Sequence, residues 1–192
     1  ILYNLIGSSY QNIGDYLKAK NNFQAGLKLD PGNLSLMNNL AMAYKNLLEY
    51  SLAEEIYLKI INTNNKYLNA FVNLGNLKRD LNKFNEAIKL YEKALIIADN
   101  NPVIYYSLAL AHQGIGAFDK TIFYSQKTLE LDPNFTRADH LISQSSKYKE
   151  INNHYLNLKN KLKNKKIESL ERVDLYFCLA KAEEDLGNFK EA

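Results

Sequence analysis

The stretch that decides the fold runs from Leu40-Ala41-Met42-Ala43-Tyr44 to Ala53-Glu54-Glu55-Ile56-Tyr57. A large residue, a small residue and an aromatic are followed nine residues later by a second small residue and then another aromatic. Apolar residues spaced three and four apart lie on one face of a helix. The stretch therefore predicts two helices joined by a short turn.

The same pattern recurs along the chain at a fixed interval. Its first small residue returns at Gly7, Ala41, Gly75 and Ala109, which are equally spaced. A 34-residue period of helix–turn–helix character is the signature of the tetratricopeptide repeat. The chain resembles that family over residues 1–135 and again over residues 173–192. The resemblance implies an all-α, right-handed superhelical solenoid of antiparallel helix pairs, whose first helices line a concave groove.

The period also divides the chain into units. Four regular repeats are expected within residues 1–135, at 1–33, 34–67, 68–101 and 102–135. Residues 136–172 hold a degenerate fifth repeat with about three extra residues, because the small residue after Ser143 returns at Ala180, 37 positions on. Residues 173–192 begin a sixth repeat, in which Gly187, Phe189 and Ala192 keep the pattern.

Small residues mark the places where paired helices are expected to cross closely. A large side chain at Gly7, Ala19 or Gly26 would force the two backbones apart. Gly116 is interpreted as the turn between two helices rather than as part of a phosphate-binding loop, because the residues before it are helical and not a strand. In the degenerate repeat, three leucines from Leu156 to Leu162 predict a second helix that is longer or differently tilted.

Composition limits the possible partners and compartments. The net charge of +3 is too small to indicate a nucleic-acid partner. No apolar run approaches the roughly 20 residues that cross a bilayer, so no membrane partner is expected. The single cysteine, Cys178, cannot form an internal disulfide, which favours a cytoplasmic location. The chain begins and ends inside repeats, so we expect it to be a piece of a longer protein.

The sequence contains no pattern that indicates catalysis, a cofactor or a metal site. The three histidines, His112, His140 and His154, are far apart and lack accompanying cysteines or paired carboxylates. His112 occupies the position of a tyrosine in other repeats, which predicts a packed core residue. Cys178 lies between apolar neighbours, which predicts a buried and unreactive thiol.

A polar face on the first helices is the candidate binding site. The predicted groove residues are Asn4, Ser8, Gln11, Asn12, Asn38, Met42, Lys45, Asn46, Asn69, Asn76, Arg79, Asp80, Tyr106, Leu110, Gln113, His140 and Gln144. Amide side chains both donate and accept, which suits the backbone of an extended peptide. The alternative is that an asparagine-rich chain places asparagine on any solvated face. The ladder formed by Asn4 and Asn38, with Asn12 and Asn46, favours binding.

The expected function is therefore a protein–protein interaction scaffold that binds a peptide or a partner domain. Self-association through the ends of the array is a further possibility. Tetratricopeptide domains that hold a C-terminal carboxylate resemble one another in a set of lysine, arginine and asparagine residues over three repeats. This sequence lacks the lysine of the first repeat and the cations of the third, so such a site is not expected.

Residues 171–189 carry a second resemblance. They are similar to the last repeat of bacterial proteins that join such an array to a sulfotransferase domain, where an irregular unit also precedes the tail. This resemblance implies an alternative function as the substrate-presenting arm of a larger sulfotransferase. The phosphosulfate loop of that family, a Pro-Arg-Ser-Gly-Thr type segment, does not occur within these 192 residues, so no catalytic residue is carried over.

Overall fold

The structure, a computed structural model, describes residues 1–164 and 169–188. These residues form eleven helices and no strand, as the all-α prediction requires. The helices are α1 (Leu2–Asn12), α2 (Tyr16–Leu29), α3 (Leu34–Asn46), α4 (Tyr50–Thr63), α5 (Leu68–Asp80), α6 (Phe84–Ile97), α7 (Pro102–Gly114), α8 (Phe118–Leu131), α9 (Thr136–Ser145), α10 (Asn153–Lys163) and α11 (Ser169–Asp185).

The sequence period reappears in the helix boundaries and in the turns. The second helices α2, α4, α6 and α8 each have 14 residues, begin at an aromatic residue and start one period apart. The turn before each of them has one residue with a positive φ, at Gly14, Leu48, Asn82 and Gly116. Gly116, with φ of 71°, is the predicted turn. Because only glycine adopts this conformation without a steric cost, Leu48 is held there by the helices on either side.

The chain divides into two compact units, Ile1–Ala98 and Asp99–Ala192. In the first unit, α1 to α6 pack each against the next, and the first helices α1, α3 and α5 also touch one another in order. In the second unit, α7 packs on α8 and α8 on α9. There α11 packs against both α9 and α10.

The close crossing predicted at Gly7 is present inside its helix pair, and Gly75, two periods later, makes the same kind of contact. A Cβ atom on Gly7 would lie 2.4 Å from the Phe23 ring, and one on Gly75 would lie 2.5 Å from the Tyr91 ring. Both rings are fully buried. The small residues are therefore required because an aromatic ring of the partner helix lies directly against the backbone.

The degenerate fifth repeat differs from the expectation in two ways. Of the two alternatives predicted for its second helix, longer or differently tilted, the longer one is wrong: α10 has 11 residues, against 14 in the regular second helix α8. The Asn152 side chain accepts a hydrogen bond from the Tyr155 amide and caps the start of α10. The expected boundary at residue 172 falls inside α11, which is already helical at Ser169. Phe189 and Ala192 lie outside the described residues.

Polar side chains tie this irregular unit together. The carboxylate of Asp139 in α9 is fully buried, and it contacts Lys161 Nζ at 2.6 Å and His154 Nε2 at 3.2 Å, both from α10. The Tyr148 hydroxyl lies 2.6 Å from His154 Nδ1 and 3.0 Å from the Ser143 hydroxyl. Because a buried carboxylate is stable only when its charge and lone pairs are matched, these contacts fix α10 against α9.

The first testable prediction concerns the close crossing at Gly75. Replacement of a mid-helix glycine by alanine normally adds ~1 kcal/mol of helix stability. In Gly75→Ala the new methyl group meets the Tyr91 ring, and such overpacking costs ~1–3 kcal/mol. We expect a lower midpoint of thermal unfolding by circular dichroism. The matched control is Gly32→Ala, whose Cβ has no heavy atom within 4 Å. A higher midpoint for Gly75→Ala would contradict the assignment.

The second prediction concerns the buried carboxylate. Asp139→Ala leaves Lys161 and His154 without their partner, so the free energy of unfolding in urea should fall by ~3 kcal/mol. Glu130→Ala is the control, because its ion pair with Lys127 is exposed and such pairs contribute less than ~1 kcal/mol. Equal losses in the two variants would show that the polar contacts of α9 and α10 do not stabilise the unit.

Candidate functional site

We call the surface formed by the predicted groove residues on α1, α3, α5, α7 and α9 the first-helix face, and describe it separately in each unit. In the first unit, four of these residues are exposed: Asn12, Asn46, Asn69 and Asp80. Seven are half-buried: Asn4, Ser8, Gln11, Met42, Lys45, Asn76 and Arg79. Asn38 is buried, with 5% of its surface exposed.

A chain of asparagine amides crosses α1, α3 and α5. Asn39 Nδ2 donates to Asn4 Oδ1 at 2.8 Å, and Asn73 Nδ2 donates to Asn38 Oδ1 at 3.0 Å. The two bonds are joined within α3, where Asn38 Nδ2 lies 3.5 Å from Asn39 Oδ1. We call these four residues the asparagine chain. Asn4 and Asn38 are thus linked through Asn39.

The burial of Asn38 changes its role. Its amide lies within the contact between first helices, where it satisfies other amides instead of facing solvent. A side chain with this little exposure cannot present its amide to a peptide, so Asn38 is left out of the binding surface. Asn39 and Asn73 donate the hydrogen bonds that hold neighbouring first helices in register.

Charged residues on this part of the face largely neutralise one another. Lys45 Nζ contacts Asp80 Oδ2 at 2.6 Å, and Arg79 contacts the same carboxylate at 3.4 Å. Asn76 Oδ1 accepts a hydrogen bond of 2.8 Å from the Tyr91 hydroxyl, which connects the face to the core. The surface is therefore polar with little net charge.

In the second unit, three of the predicted residues form a row of hydrogen bonds across α7 and α9. Gln113 Nε2 donates to Gln144 Oε1 at 3.2 Å, and Gln144 Nε2 lies 2.7 Å from His140 Nε2. An amide nitrogen can only donate, so His140 Nε2 is the acceptor of this hydrogen bond. The row therefore has a defined direction.

The other two predicted residues of the second unit, Tyr106 and Leu110, are half-buried on α7. Tyr106 belongs to a cluster that the sequence analysis missed. Its ring lies 4.9 Å from the Phe135 ring, centroid to centroid. The Arg137 guanidinium lies 5.5 Å from the Phe135 centroid and 6.0 Å from that of Tyr106. Arg137 stands two periods after Asn69, so the repeat register could have identified it.

Residues considered for chemistry have structural roles. His112 is 4% exposed and stacks on Tyr124 at 5.3 Å, which confirms its predicted place in the core. Cys178 is 2% exposed, and burial raises the pKa of its thiol to about 11. The thiol is therefore protonated at neutral pH and is not a nucleophile.

Within residues 1–164 and 169–188, no three His, Cys, Asp or Glu side chains are grouped as a metal site would require. None of the helices described there has both the length and the apolar composition needed to cross a membrane.

Comparison with known proteins identifies the repeats. The family described as "Tetratricopeptide repeat" matches residues 2–33 and 34–67, and the family described as "TPR repeat" matches residues 75–116. Uncharacterized protein ycf37 of Pyropia yezoensis is 36% identical over 70 residues. The match covers 35% of this chain and 39% of that protein, so the chain corresponds to less than half of this relative.

Solved structures share the fold over nearly the whole chain. MamA is 22% identical with a TM-score of 0.64, over 97% of this chain and 98% of the other. TTC0263, a thermophilic TPR protein of Thermus thermophilus, is 16% identical with a TM-score of 0.71, over 92% of this chain and 97% of the other. The chain therefore carries tetratricopeptide repeats and has the all-α solenoid fold of proteins built from them.

Proposed function

We propose that the chain is a protein-interaction scaffold whose first-helix face binds an extended peptide or a partner domain. The observation that carries this proposal is that polar side chains on successive first helices are linked in rows. The asparagine chain forms one row, and Gln113, Gln144 and His140 form another. Tetratricopeptide repeats are a fold that provides extended binding surfaces of this kind.

The rows favour a peptide backbone as the ligand. A peptide group needs one donor and one acceptor, and each exposed amide of Asn12, Asn46, Asn69 and Gln144 offers both. Side chains that are already positioned by hydrogen bonds lose less rotamer freedom when a ligand binds. Gln144 has this property, because Gln113 and His140 hold it from both sides.

A catalytic role for the buried polar network is not proposed. Ser143, Tyr148, His154 and Asp139 form a hydrogen-bonded series that superficially resembles a hydrolase triad. The serine hydroxyl, however, bonds to Tyr148 rather than to the histidine, and Ser143 is only 3% exposed. A nucleophile must reach its substrate, so the arrangement fits a structural role.

The test uses peptides selected from a phage-displayed library of random nine-residue sequences. Replacing Gln113 and Gln144 together by alanine, both in the second unit, should weaken binding of a selected peptide by about tenfold, because each hydrogen bond contributes ~0.5–1.5 kcal/mol. Binding is measured by fluorescence polarisation of the labelled peptide.

The matched control replaces Gln126 and Asn157, which are exposed on α8 and α10 of the same unit. These substitutions remove two amides from outside the first-helix face and should leave the affinity unchanged. If both double variants bind equally well, or if the control alone loses affinity, the first-helix face of the second unit is not the binding surface.

The resemblance of residues 171–189 favours a second candidate, in which the chain presents substrates to a sulfotransferase domain of a larger protein. The parent sequence beyond residue 192 tests this candidate. A strand followed by a phosphosulfate-binding loop would support it, and further repeats would exclude it. A cytoplasmic location and self-association through the repeat ends remain predictions from the sequence.

A further inference from the structure

The side chain of Arg137 lies on an aromatic platform within the second unit. Its guanidinium is over the Phe135 ring at 5.5 Å and over the Tyr106 ring at 6.0 Å, and the residue is exposed. A guanidinium within about 6 Å of a ring centroid is attracted by the electrons of the ring face, and it can still donate hydrogen bonds from its N–H groups. The platform therefore restricts the long side chain while it leaves the donors accessible.

The charge of Arg137 is not matched by an acid in the described part of the chain. Within residues 1–164 and 169–188, no carboxylate lies within 4.0 Å of its guanidinium, whereas the first-unit cations Lys45 and Arg79 share Asp80. The neighbouring Asp139 is fully buried and already contacts Lys161 and His154. Among the described residues, Arg137 is thus a positioned cation that lacks an anion.

The surroundings of Arg137 belong to the proposed binding surface. His140 follows one turn later on α9 and stands one period after Tyr106, in the same repeat register. The hydrogen-bonded Gln144 follows one further turn on. A segment bound along α9 would therefore meet amide groups and the Arg137 guanidinium on one face.

We propose that Arg137, on the platform of Tyr106 and Phe135, anchors a side-chain carboxylate, of Asp or Glu, in an extended peptide bound to the first-helix face. A carboxylate pairs with a guanidinium through two parallel N–H···O hydrogen bonds, which fixes both distance and orientation. This inference rests on the proposed function and adds the chemistry of the ligand to it.

A peptide is favoured over nucleic acid for two reasons. The chain has a net charge of only +3, whereas binding to a phosphate backbone relies on many Lys and Arg contacts. The residues beside Arg137 on α9 include the amide of Gln144 and the imidazole of His140, which match peptide groups. Phosphate binding is therefore treated as an outcome that the test must separate.

The test begins with the same random nine-residue library and the wild-type chain. Selected peptides should share one Asp or Glu. Replacing that acid by its amide in a synthetic, labelled peptide should weaken binding by on the order of tenfold or more. The Arg137→Gln variant should bind the acidic peptide and its amide analogue equally well, because neither peptide can form the ion pair. Arg137→Lys should keep only part of it, because an ammonium lacks the planar fork.

The charge-matched control is Lys120→Gln, which removes one exposed cation from α8 and should keep the full preference for the acidic peptide. Thermal unfolding of all variants checks that the fold is intact, which is expected because Arg137 is exposed.

The inference is overturned if selected peptides share no acid, if the acidic preference persists in Arg137→Gln, or if a single-stranded DNA oligonucleotide binds in an Arg137-dependent manner. If selected peptides without an acid preference still lose affinity in the variant of Gln113 and Gln144, the proposed function is supported and only the Arg137 anchor is refuted. If no peptide is selected, both the proposed function and the Arg137 anchor are refuted.

Discussion

The contact on which the rest of the structure depends is that between a small residue of the first helices α1 and α5 and an aromatic ring of the paired helix. The Phe23 ring lies against Gly7 and the Tyr91 ring against Gly75, so closely that a methyl group would overlap the ring. These contacts determine how near the paired helices lie. Because they recur at the repeat period, they place successive first helices side by side within the first unit.

That spacing creates the asparagine chain. Asn4, Asn39, Asn38 and Asn73 come within hydrogen-bond distance only when α1, α3 and α5 are neighbours. A buried amide must have hydrogen-bond partners. The asparagine chain therefore opposes any slip of one first helix along the next, because a slip would break these bonds. The helices that carry the exposed amides in the first unit are therefore held together by amides that already have hydrogen-bond partners.

The second unit reaches a stable core by other means. Thr121 and Ser125 are fully buried at positions where the first unit has alanine and an aromatic residue. After α9 the apolar pattern weakens, and Asp139, His154 and Lys161 connect the helices instead. The exposed Arg137, over the rings of Tyr106 and Phe135, lies in the same unit. The second unit therefore contains both the buried Asp139 contacts and an exposed cation on aromatic rings.

The sequence by itself determined the helical class, the period and the turn at Gly116, together with the need for a small residue at Gly7. These features follow from short-range spacing and backbone sterics, which a single chain segment already contains. Only the tertiary structure decided that Asn38 is internal, that α10 is short and that Arg137 lies over Tyr106 and Phe135. The physical reason is that burial and pairing depend on side chains contributed by other helices, whose positions the local pattern does not specify.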